Sequence, residues 1–405
     1  MIEIAILGLG TVGGGTADLL ESHKESIARR VGEEVHIKYI LDIRDLPESP
    51  YHDRIVHDYN IILRDPEVKI VAEVIGGSHP AFEFTCQALE AGKHVVTSNK
   101  ELVATFGDVI LDIAHKNGVQ YLFEASVGGG VPIIKPLQTD LAANNILSIS
   151  GIMNGTTNYI LTRMLQGSAD FATALQEARQ KGYAEADPSA DIDGIDACRK
   201  ICILTAVAYG KMIDPSRVHT EGISAIRRED VLAAKKFGAE IKLLGRAVCQ
   251  ENNDLYMMVA PFFVSNESPL AHVSDVFNGI LVTGSAVEDV MFYGRGAGAL
   301  PTASAVVSDI LSLAVCGNNR PNLSFEKVTD YPTDFGFFSC RRYLALKDTD
   351  INAIRVIFGE VEMLSEENAE EIWIVTEEMT ENALLSSVSR LESSGASLVS
   401  HIRIF

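Results

Sequence analysis

The feature that most constrains the fold is a glycine-rich turn, "AILGLGTVGGG", near the first residues of the chain. Gly8, Gly10 and Gly13 have the spacing G-x-G-x-x-G, after a predicted strand (Glu3–Leu7) and before a predicted helix (Val12–Arg30). In dinucleotide-binding proteins such glycines allow a tight turn, close approach of a pyrophosphate to the backbone, and close packing of helix on strand. The turn therefore predicts a nucleotide site; a glycine-rich turn without a ligand is the alternative.

Short apolar runs alternate with helical patterns as far as residue 128. This alternation predicts an α/β fold of the Rossmann type, a doubly wound parallel sheet that binds its ligand at the carboxyl ends of its strands. The predicted strands are Glu3–Leu7, Val35–Leu41, Ile70–Ile75, His94–Thr97 and Gln120–Phe123. The predicted helices are Val12–Arg30, Ala81–Ala91 and Leu102–Asn117.

Other candidate cofactor contacts lie beside the strand ends. Thr11 directly precedes the predicted first helix and Val12 begins it, and the N-terminus of a helix favours anionic phosphates. The second strand ends in "ILDIRD", where Asp42 could accept hydrogen bonds from a ribose 2′-hydroxyl of NAD and Arg44 could pair with the 2′-phosphate of NADP. Both residues are present, so the choice between NAD and NADP stays open. A surface role for either residue is equally compatible with the pattern.

The segment "VVTSNKELVA" follows the fourth strand and places Thr97, Ser98 and Lys100 at the same edge of the sheet. Because nucleotides bind at this edge, we expect these side chains beside the nicotinamide. A solvated lysine at a helix start is the alternative for Lys100.

The composition excludes several classes of protein. The chain has 405 residues, 47% of them hydrophobic, which suits two or three domains. Its formal net charge of −21 gives no electrostatic reason to bind nucleic acid or an anionic membrane. The six cysteines form no C-x-x-C pair, and we find no leader peptide and no apolar run of roughly 18 residues. A soluble cytoplasmic protein is expected.

The stretch "EADPSADIDGIDACRK" gathers acidic residues ahead of a lysine. Asp196 and Lys200 are four residues apart on one predicted helix face, which continues with the apolar Ile203 and Val207. Such a pair is either partly buried or an ordinary solvent-exposed ion pair on the surface. A lysine ammonium can donate a proton as an alkoxide develops, and neighbouring carboxylates can bind the ammonium of an amino acid. The stretch therefore predicts a pocket for a small amino acid, with a solvated acidic loop as the alternative.

Several motifs together resemble the homoserine dehydrogenase family over residues 2 to about 320. They are "ILGLGTVGGG", "AEVIGG", "ALEAGKHVVTSNKELVA", "FEASVGGGVPII", "GIMNGTTNYIL", "GYAEADPSADIDGIDACRK" and "YGRGAGALPTASAVVSDI". The resemblance implies reduction of L-aspartate 4-semialdehyde to L-homoserine with NAD(P)H, a step towards threonine, methionine and isoleucine. An NAD(P)-dependent dehydrogenase of another small amino or hydroxy acid, and an inactive amino-acid sensor, are the alternatives.

The resemblance also implies roles for individual residues. Lys200 would donate or accept the proton, Lys100 would be a second active-site lysine, and Asp191 would support Lys200. The implied substrate-binding residues are Glu185, Asp196, Gly182, Tyr183 and Thr157. Gly298 would lie close to the cofactor, at the start of a segment (298–325) that completes the nucleotide-binding domain.

The turn "EASVGGGV" resembles the family's site for a monovalent cation, usually sodium. Its implied ligands are Glu124, Val127, Gly129 and Val131, mostly through backbone carbonyls, which suit a hard cation. A simple hinge between domains is the alternative.

The remaining chain predicts two further α+β regions. Residues 129–297 are expected to form a substrate-binding and catalytic domain, which the family resemblance implies also mediates dimerisation, as a homodimer or higher oligomer. Residues 330–405 resemble an ACT domain, but "LKDTDINAI" lacks the proline and glycine usual in its first loop. An amino-acid sensor and a structural or oligomerising module both fit this segment.

Overall fold

The computed structural model describes residues 1–167, 169–250, 252–317, 323–367 and 369–405. It divides into two compact units. The first comprises Met1–Asn145, Cys202–Pro215 and Gly294–Thr329, and the second comprises Ile146–Ile201, Ser216–Tyr293 and Asp330–Phe405. Residues 318–322, within the segment expected to complete the nucleotide-binding domain, lie outside the described residues.

Strands and helices alternate in the first third of the chain and again near its C-terminus. The strands are β1 (Ile2–Leu7), β2 (Val35–Leu41), β3 (Ile55–Val56), β4 (Val68–Glu73), β5 (His94–Thr97), β6 (Tyr121–Leu122), β7 (Ile146–Ile152), β8 (Lys211–Met212), β9 (His219–Thr220), β10 (Ala239–Cys249), β11 (Leu255–Ser265), β12 (Phe277–Gly284), β13 (Glu288–Arg295), β14 (Glu326–Lys327), β15 (Ser339–Cys340), β16 (Arg342–Lys347), β17 (Val361–Met363), β18 (Glu371–Thr376), β19 (Met379–Thr380) and β20 (Ser397–Ile404). The helices are α1 (Thr11–Ser22), α2 (Lys24–Val31), α3 (Tyr59–Arg64), α4 (Ala81–Glu90), α5 (Lys100–Lys116), α6 (Ile134–Gln138), α7 (Gly155–Gly167), α8 (Phe171–Gln180), α9 (Ser189–Ile192), α10 (Ile195–Tyr209), α11 (Arg228–Phe237), α12 (Ala299–Cys316), α13 (Ile351–Phe358) and α14 (Glu381–Glu392).

The first unit is built on a parallel sheet with the strand order β3-β2-β1-β4-β5-β6, which confirms the predicted Rossmann-type α/β class. β1 is central, and Ile4, Ala5, Ile6 and Leu7 are fully buried, as expected for a strand covered on both faces. The chain order reverses around β1, because β2 lies on one side of it and β4 on the other. A ligand crevice opens at such a switch point, beyond the carboxyl ends of the strands.

The predicted helix Val12–Arg30 is two helices in the structure, α1 and α2. Ser22 Oγ donates to the carbonyl of Asp18, and the ring of His23 contacts the carbonyl of Leu19. Side chains that bond back to the preceding turn compete with the helical backbone, which accounts for the break.

Helix α12 packs on α1 in the first unit. A Cβ at Gly15 would lie 3.1 Å from the carbonyl oxygen of Ala299 and 3.2 Å from Cβ of Ala303, so this glycine allows the two helices to approach closely. Among the described residues, α12 is also the one helix long and apolar enough to cross a membrane by length and composition. Its residues Val306, Ile310 and others instead belong to the core around the parallel sheet.

The second unit contains a large mixed sheet with the order β13-β12-β7-β10-β11-β20-β16-β18-β17, and β9 also pairs with β11. The long hairpin β10–β11 is its centre, and both strands are largely buried. Helix α7 packs on β10, which places the loop after β7 beside the sheet's central strands.

Residues from β16 to β20 form a β-α-β-β-α-β arrangement with the strand order β20-β16-β18-β17 and a core that includes Leu344, Ile354 and Ile374. Its last strand also pairs in parallel with β11, where Phe262 lies opposite Arg403. The C-terminal segment therefore has its own core but shares one continuous sheet with the middle of the chain.

Candidate active site

The glycine-rich turn of the first unit has the geometry of a phosphate-binding loop. Gly8 has a φ of +97°, which L side chains rarely adopt, and a Cβ at Gly13 would lie 1.9 Å from the Gly8 carbonyl oxygen. A Cβ at Gly10, in contrast, would meet no chain atom within 4 Å. Gly10 caps α1, whose first residues are Thr11 and Val12. Two glycines are thus required by the fold, and the third leaves open space at the helix N-terminus, where anionic phosphates are favoured.

Asp42 and Arg44 form a paired group beside this turn. The Asp42 carboxylate accepts hydrogen bonds from the Leu9 N–H at 2.8 Å and from the Arg44 Nε at 2.9 Å. The Arg44 guanidinium also donates to the Leu9 carbonyl and is 53% exposed, whereas the Asp42 side chain is buried. The hydrogen bond from the Arg44 side chain holds the pKa of Asp42 well below its usual range. Asp42 therefore positions Arg44, which faces solvent.

The turn after β5 is fixed by a buried carboxyl group. Thr97 Oγ1 donates to Glu73 at 2.7 Å and accepts from the N–H of Asn99, and Asn99 Oδ1 accepts from Leu102 N–H at the start of α5. This cap explains why α5 begins at Lys100, two residues before the predicted start. Ser98 and Lys100, which flank Asn99, are both partly exposed.

Glu73 was not among the predicted site residues. It is fully buried at the end of β4, and it accepts a hydrogen bond from the N–H of Ile75. Burial raises the pKa of Glu73. A lone charged residue ending an apolar strand, in "VAEVIGG", was the sequence signal that could have identified it.

The second unit gathers three of the predicted polar residues around one asparagine. Lys200 is 7% exposed, and its Nζ donates to Asp196 Oδ2 at 2.9 Å and to the carbonyl of Met153 at 2.8 Å. Asn154 Nδ2 donates to Asp196 Oδ2 at 2.9 Å and to Asp191 Oδ1 at 2.7 Å. The Asp196–Lys200 pair is therefore buried, and the alternative of a solvent-exposed surface pair is wrong. We call Asn154, Asp191, Asp196 and Lys200 the lysine cluster.

Asn154 is the residue that the sequence analysis missed as a site member. Its Oδ1 accepts from the N–H of Thr157 and so caps α7, while its Nδ2 binds the two aspartates. One side chain thus links the helix start to the cluster. Asparagine before an apolar helical pattern, as in "NGTTNYI", is typical of a helix cap, but the local sequence gives no sign of the second function.

The other predicted substrate residues differ in exposure. Gly182, Tyr183 and Glu185 lie on an exposed turn after α8, and the carbonyl of Tyr183 accepts a hydrogen bond from Thr156. Thr157 is buried, with its hydroxyl donating to the Asn154 carbonyl. Thr157 therefore supports the cap, and the exposed turn is the part of this segment that solutes can reach.

The turn expected to hold a cation is buried in the first unit. Glu124, Val127, Gly129 and Val131 are all buried. The Glu124 carboxylate accepts hydrogen bonds from the N–H groups of residues 133, 134 and 135, and so caps α6. Its side chain is thus committed to the fold, which leaves backbone carbonyls as the donor set. Among the described residues, no group of three or more His, Cys, Asp or Glu side chains is placed to hold a metal ion.

Glycines in and after this turn are required by close backbone packing. Gly129 has a φ of +55°, and a Cβ there would lie 2.3 Å from the carbonyl oxygen of Gly296. Gly130 N–H donates to the carbonyl of Arg295. Gly298 has a φ of +121° and caps α12. The turn therefore packs directly on the segment that leads into α12.

Comparison with known proteins places both units in one family. A family model described as homoserine dehydrogenase matches residues 132–311, and one described as the NAD binding domain of homoserine dehydrogenase matches residues 8–124. A homoserine dehydrogenase of Synechocystis sp. is 44% identical over 318 residues, which are 77% of this chain and 73% of that protein.

Solved structures extend the likeness to the whole chain. The crystal structure of a homoserine dehydrogenase from Thiobacillus denitrificans is 37% identical, with a TM-score of 0.92, over 100% of this chain and 98% of that one. A hyperthermophilic archaeal homoserine dehydrogenase mutant in complex with NADPH is 29% identical, with a TM-score of 0.67, over 80% of this chain and 99% of that one.

Proposed function

The chain belongs to the homoserine dehydrogenase family, and from this premise we propose that it reduces L-aspartate 4-semialdehyde reversibly to L-homoserine with NAD(P)H, in the synthesis of threonine, methionine and isoleucine. The observation that carries the proposal is the lysine cluster, in which a buried ammonium is held by a carboxylate and a backbone carbonyl. A buried charge pair is costly to build unless it is hydrogen-bonded, and here Asp196 Oδ2 accepts from both Lys200 Nζ and Asn154 Nδ2.

In this proposal Lys200 donates the proton during reduction and accepts it in the reverse reaction. When bound, the nicotinamide supplies a hydride to the carbonyl carbon of the substrate. Negative charge then develops on the substrate oxygen, and the Lys200 ammonium stabilises it and donates a proton to it. Asp196 and the Met153 carbonyl orient Nζ, and Asp191 holds Asp196 in place through Asn154. In the reverse direction Lys200 accepts the proton.

The substrate is a zwitterion, so its ammonium needs an acidic partner. Glu185 and Asp196 supply carboxylates for this group, with Gly182, Tyr183 and Thr157 bordering the same pocket. Lys100, at the N-terminus of α5, serves as the second active-site lysine.

Arg44 favours NADP over NAD in this proposal. Because both oxygens of Asp42 already accept hydrogen bonds from Leu9 and Arg44, Asp42 is less able to bind a ribose 2′-hydroxyl. The exposed guanidinium suits a 2′-phosphate, which it can bind bidentately.

We further infer that the backbone carbonyls of Glu124, Val127, Gly129 and Val131 bind a sodium ion that fixes this turn, with a simple hinge as the alternative. The enzyme would be cytoplasmic, with the middle of the chain forming the interface of a homodimer or larger oligomer. An amino-acid sensor in residues 330–405 would add regulation.

The test is the oxidation of NADPH and, in parallel, NADH by purified protein given L-aspartate 4-semialdehyde, with and without sodium. Rapid oxidation is expected, faster with NADPH. A folded sample that oxidises neither nucleotide, with sodium present, would contradict the proposal. Turnover of another amino or hydroxy acid would then support the first alternative, and tight amino-acid binding without turnover would support the inactive sensor.

A further inference from the structure

A second buried charge cluster lies in the second unit, around Arg403 on the last strand. The Arg403 guanidinium contacts Glu221 at 2.8 Å and Glu381 at 3.0 Å, and its side chain is 1% exposed. Glu381 also pairs with the fully buried Arg342 at 2.8 Å, and His219 hydrogen-bonds to Glu221 at 2.6 Å. Arg342, Arg403 and Glu381 belong to the C-terminal segment, whereas His219 and Glu221 belong to the middle of the chain.

Burial alone would raise the pKa of Glu221, but hydrogen bonds from His219 and Arg403 outweigh it and hold the pKa at about 2. Glu221 is therefore an anion at neutral pH. Its main chain is anchored as well, because its N–H donates to the Val259 carbonyl of β11 at 2.7 Å. A carboxylate fixed at both its side chain and its backbone has little freedom to move.

The residues after Glu221 lie directly against the segment that carries the lysine cluster. Ile223 N–H donates to the Ile192 carbonyl at 2.9 Å. A Cβ at Gly222 would lie 2.3 Å from that carbonyl oxygen, and a Cβ at Gly194 would lie 3.1 Å from the Glu221 carbonyl oxygen. The two segments thus pack backbone on backbone at Gly222, and the side chains of Val259 and Thr220 also pack against Gly194.

The contacted segment sits between two members of the lysine cluster. Ile192 directly follows Asp191, and the Gly194 carbonyl accepts from Cys198 N–H in the first turn of α10, the helix that carries Asp196 and Lys200. A displacement of residues 192–194 would therefore move Asp191 and the start of α10 together. Since hydrogen bonds of the cluster join Asp191 to α10 through Asn154, its geometry depends on this segment.

From these contacts we propose that Glu221, held by Arg403 of the last strand, is a positioning residue for Asp191, Asp196 and Lys200. The proposal rests on the proposed function of the lysine cluster. It makes the C-terminal segment part of the apparatus that orients the proton donor, whether or not that segment binds an effector.

A second ion pair between the same two parts of the chain provides a matched control. Arg227, at the start of α11, pairs with Glu371 of β18 at 2.8 Å. This pair also joins the middle of the chain to the C-terminal segment, but its partners are Asp230 and Trp373, not residues 192–194. Glu371→Gln therefore perturbs a similar pair without touching the segment beside the cluster.

The experiment compares wild type, Glu221→Gln and Glu371→Gln in NADP⁺ reduction with L-homoserine. For Glu221→Gln we expect kcat/KM for L-homoserine to fall about tenfold to a hundredfold, because small misplacements of catalytic groups have effects of this size. The KM for NADP⁺ should stay unchanged. Glu371→Gln should keep wild-type values for both. Equal losses in the two variants, or no loss in Glu221→Gln, would overturn the proposal.

Hydrogen–deuterium exchange separates this inference from the reaction itself. Amides of residues 192–198 should exchange faster in Glu221→Gln than in wild type or Glu371→Gln, and Glu221→Asp should partly restore their protection. This readout holds even if wild type fails to oxidise L-homoserine, which would refute the proposed function alone. Unchanged protection in all variants would refute the positioning role.

Discussion

The nucleotide turn and the lysine cluster depend on different properties of their residues. At the turn, Gly8, Gly10 and Gly13 matter because they have no side chain, which permits the backbone conformation, the close packing and the open space found there. In the cluster, Asp196 and Lys200 contribute charge that the surrounding fold must bury and satisfy. The turn should therefore be sensitive to any added atom, and the cluster to any change of chemistry at constant size.

The largest effect is expected when the cluster loses its cation. Lys200→Ala should lower kcat by roughly 10²–10⁴-fold, as for other losses of a general acid, with little change in NADPH affinity. The measurement is turnover beside an NADPH binding titration. Lost NADPH binding would show instead that Lys200 is structural.

Because Lys200→Ala leaves Asp196 buried without its ammonium partner, the variant should also lose about 3–5 kcal/mol of stability. The double variant Lys200→Met/Asp196→Asn removes both charges at similar volume. It should regain most of that stability in urea unfolding and remain inactive. An active double variant would contradict the contrast between the turn and the cluster, because it would show that the cluster does not need charge.

Three glycine variants test the prediction for the nucleotide turn. Gly13→Ala places a methyl group against the Gly8 carbonyl and should cost about 1–3 kcal/mol of stability even without cofactor. Gly10→Ala should leave apo stability within about 0.5 kcal/mol but weaken NADPH binding about tenfold or more, because its space is reserved for ligand.

Gly14→Ala is the control, since a Cβ there meets no atom within 4 Å and the residue is helical. It should raise stability by up to about 1 kcal/mol, the ordinary helix preference for alanine. Melting temperatures and NADPH titrations of the three variants test this. Wild-type NADPH affinity in Gly10→Ala would argue against a pyrophosphate at this position.

A smaller change is expected at the edge of the nucleotide site. Arg44→Ala should lower kcat/KM for NADPH about tenfold and leave that for NADH nearly unchanged, because only the 2′-phosphate loses a charged partner. The ratio of the two values in wild type and variant is the measurement. An equal loss for both nucleotides would mean that Arg44 supports the structure of the turn and does not bind the 2′-phosphate.

The last effect concerns acid stability and leaves activity at neutral pH untouched in wild type. The pKa of Glu221, at about 2, lies below the ordinary value of 4.5, so its contribution is present at neutral pH and is lost as the pH falls from about 5 towards 2. The titratable and charged groups around it are His219, His401, Arg403 and, through Arg403, Glu381. Between about pH 6 and pH 3 this group should cost wild type on the order of 2 kcal/mol.

Glu221→Gln should lack this component, so its urea midpoint should fall less steeply over that pH range. Equal acid sensitivity in the two proteins would show that Glu221 titrates normally in the folded state.

The local pattern of the sequence predicted five of the six strands of the parallel sheet, because these strands are largely apolar and the glycine turn marks the first of them. The two-residue β3 (Ile55–Val56) was not predicted, because it is too short to give a pattern. Asp42, Arg44, Asp196 and Lys200 could be named as candidate site residues in the same way, and their roles stay predictions. The contact between Asp42 and Arg44 could not, because spacing alone does not tell whether two residues meet each other or a ligand.

Asn154 and the Glu221–Arg403 pair were beyond sequence reasoning for a different reason. Asn154 meets Asp191 and Asp196, and Glu221 meets Arg403, only after distant segments fold together. The same is true of β20, whose partner β11 is far away in sequence. Periodicity reports which face of a segment is buried, but not which segment covers it.

The position of β20 has a consequence for the order of events during synthesis. Until residues 397–404 have left the ribosome, β11 and β16 have no strand between them, so β16 has an open edge and β11 is paired on that side only with the short β9. Open edges are templates for pairing with other chains, and incompletely folded chains are prone to aggregate. A nascent chain must therefore keep these edges of β11 and β16 protected until β20 has been translated.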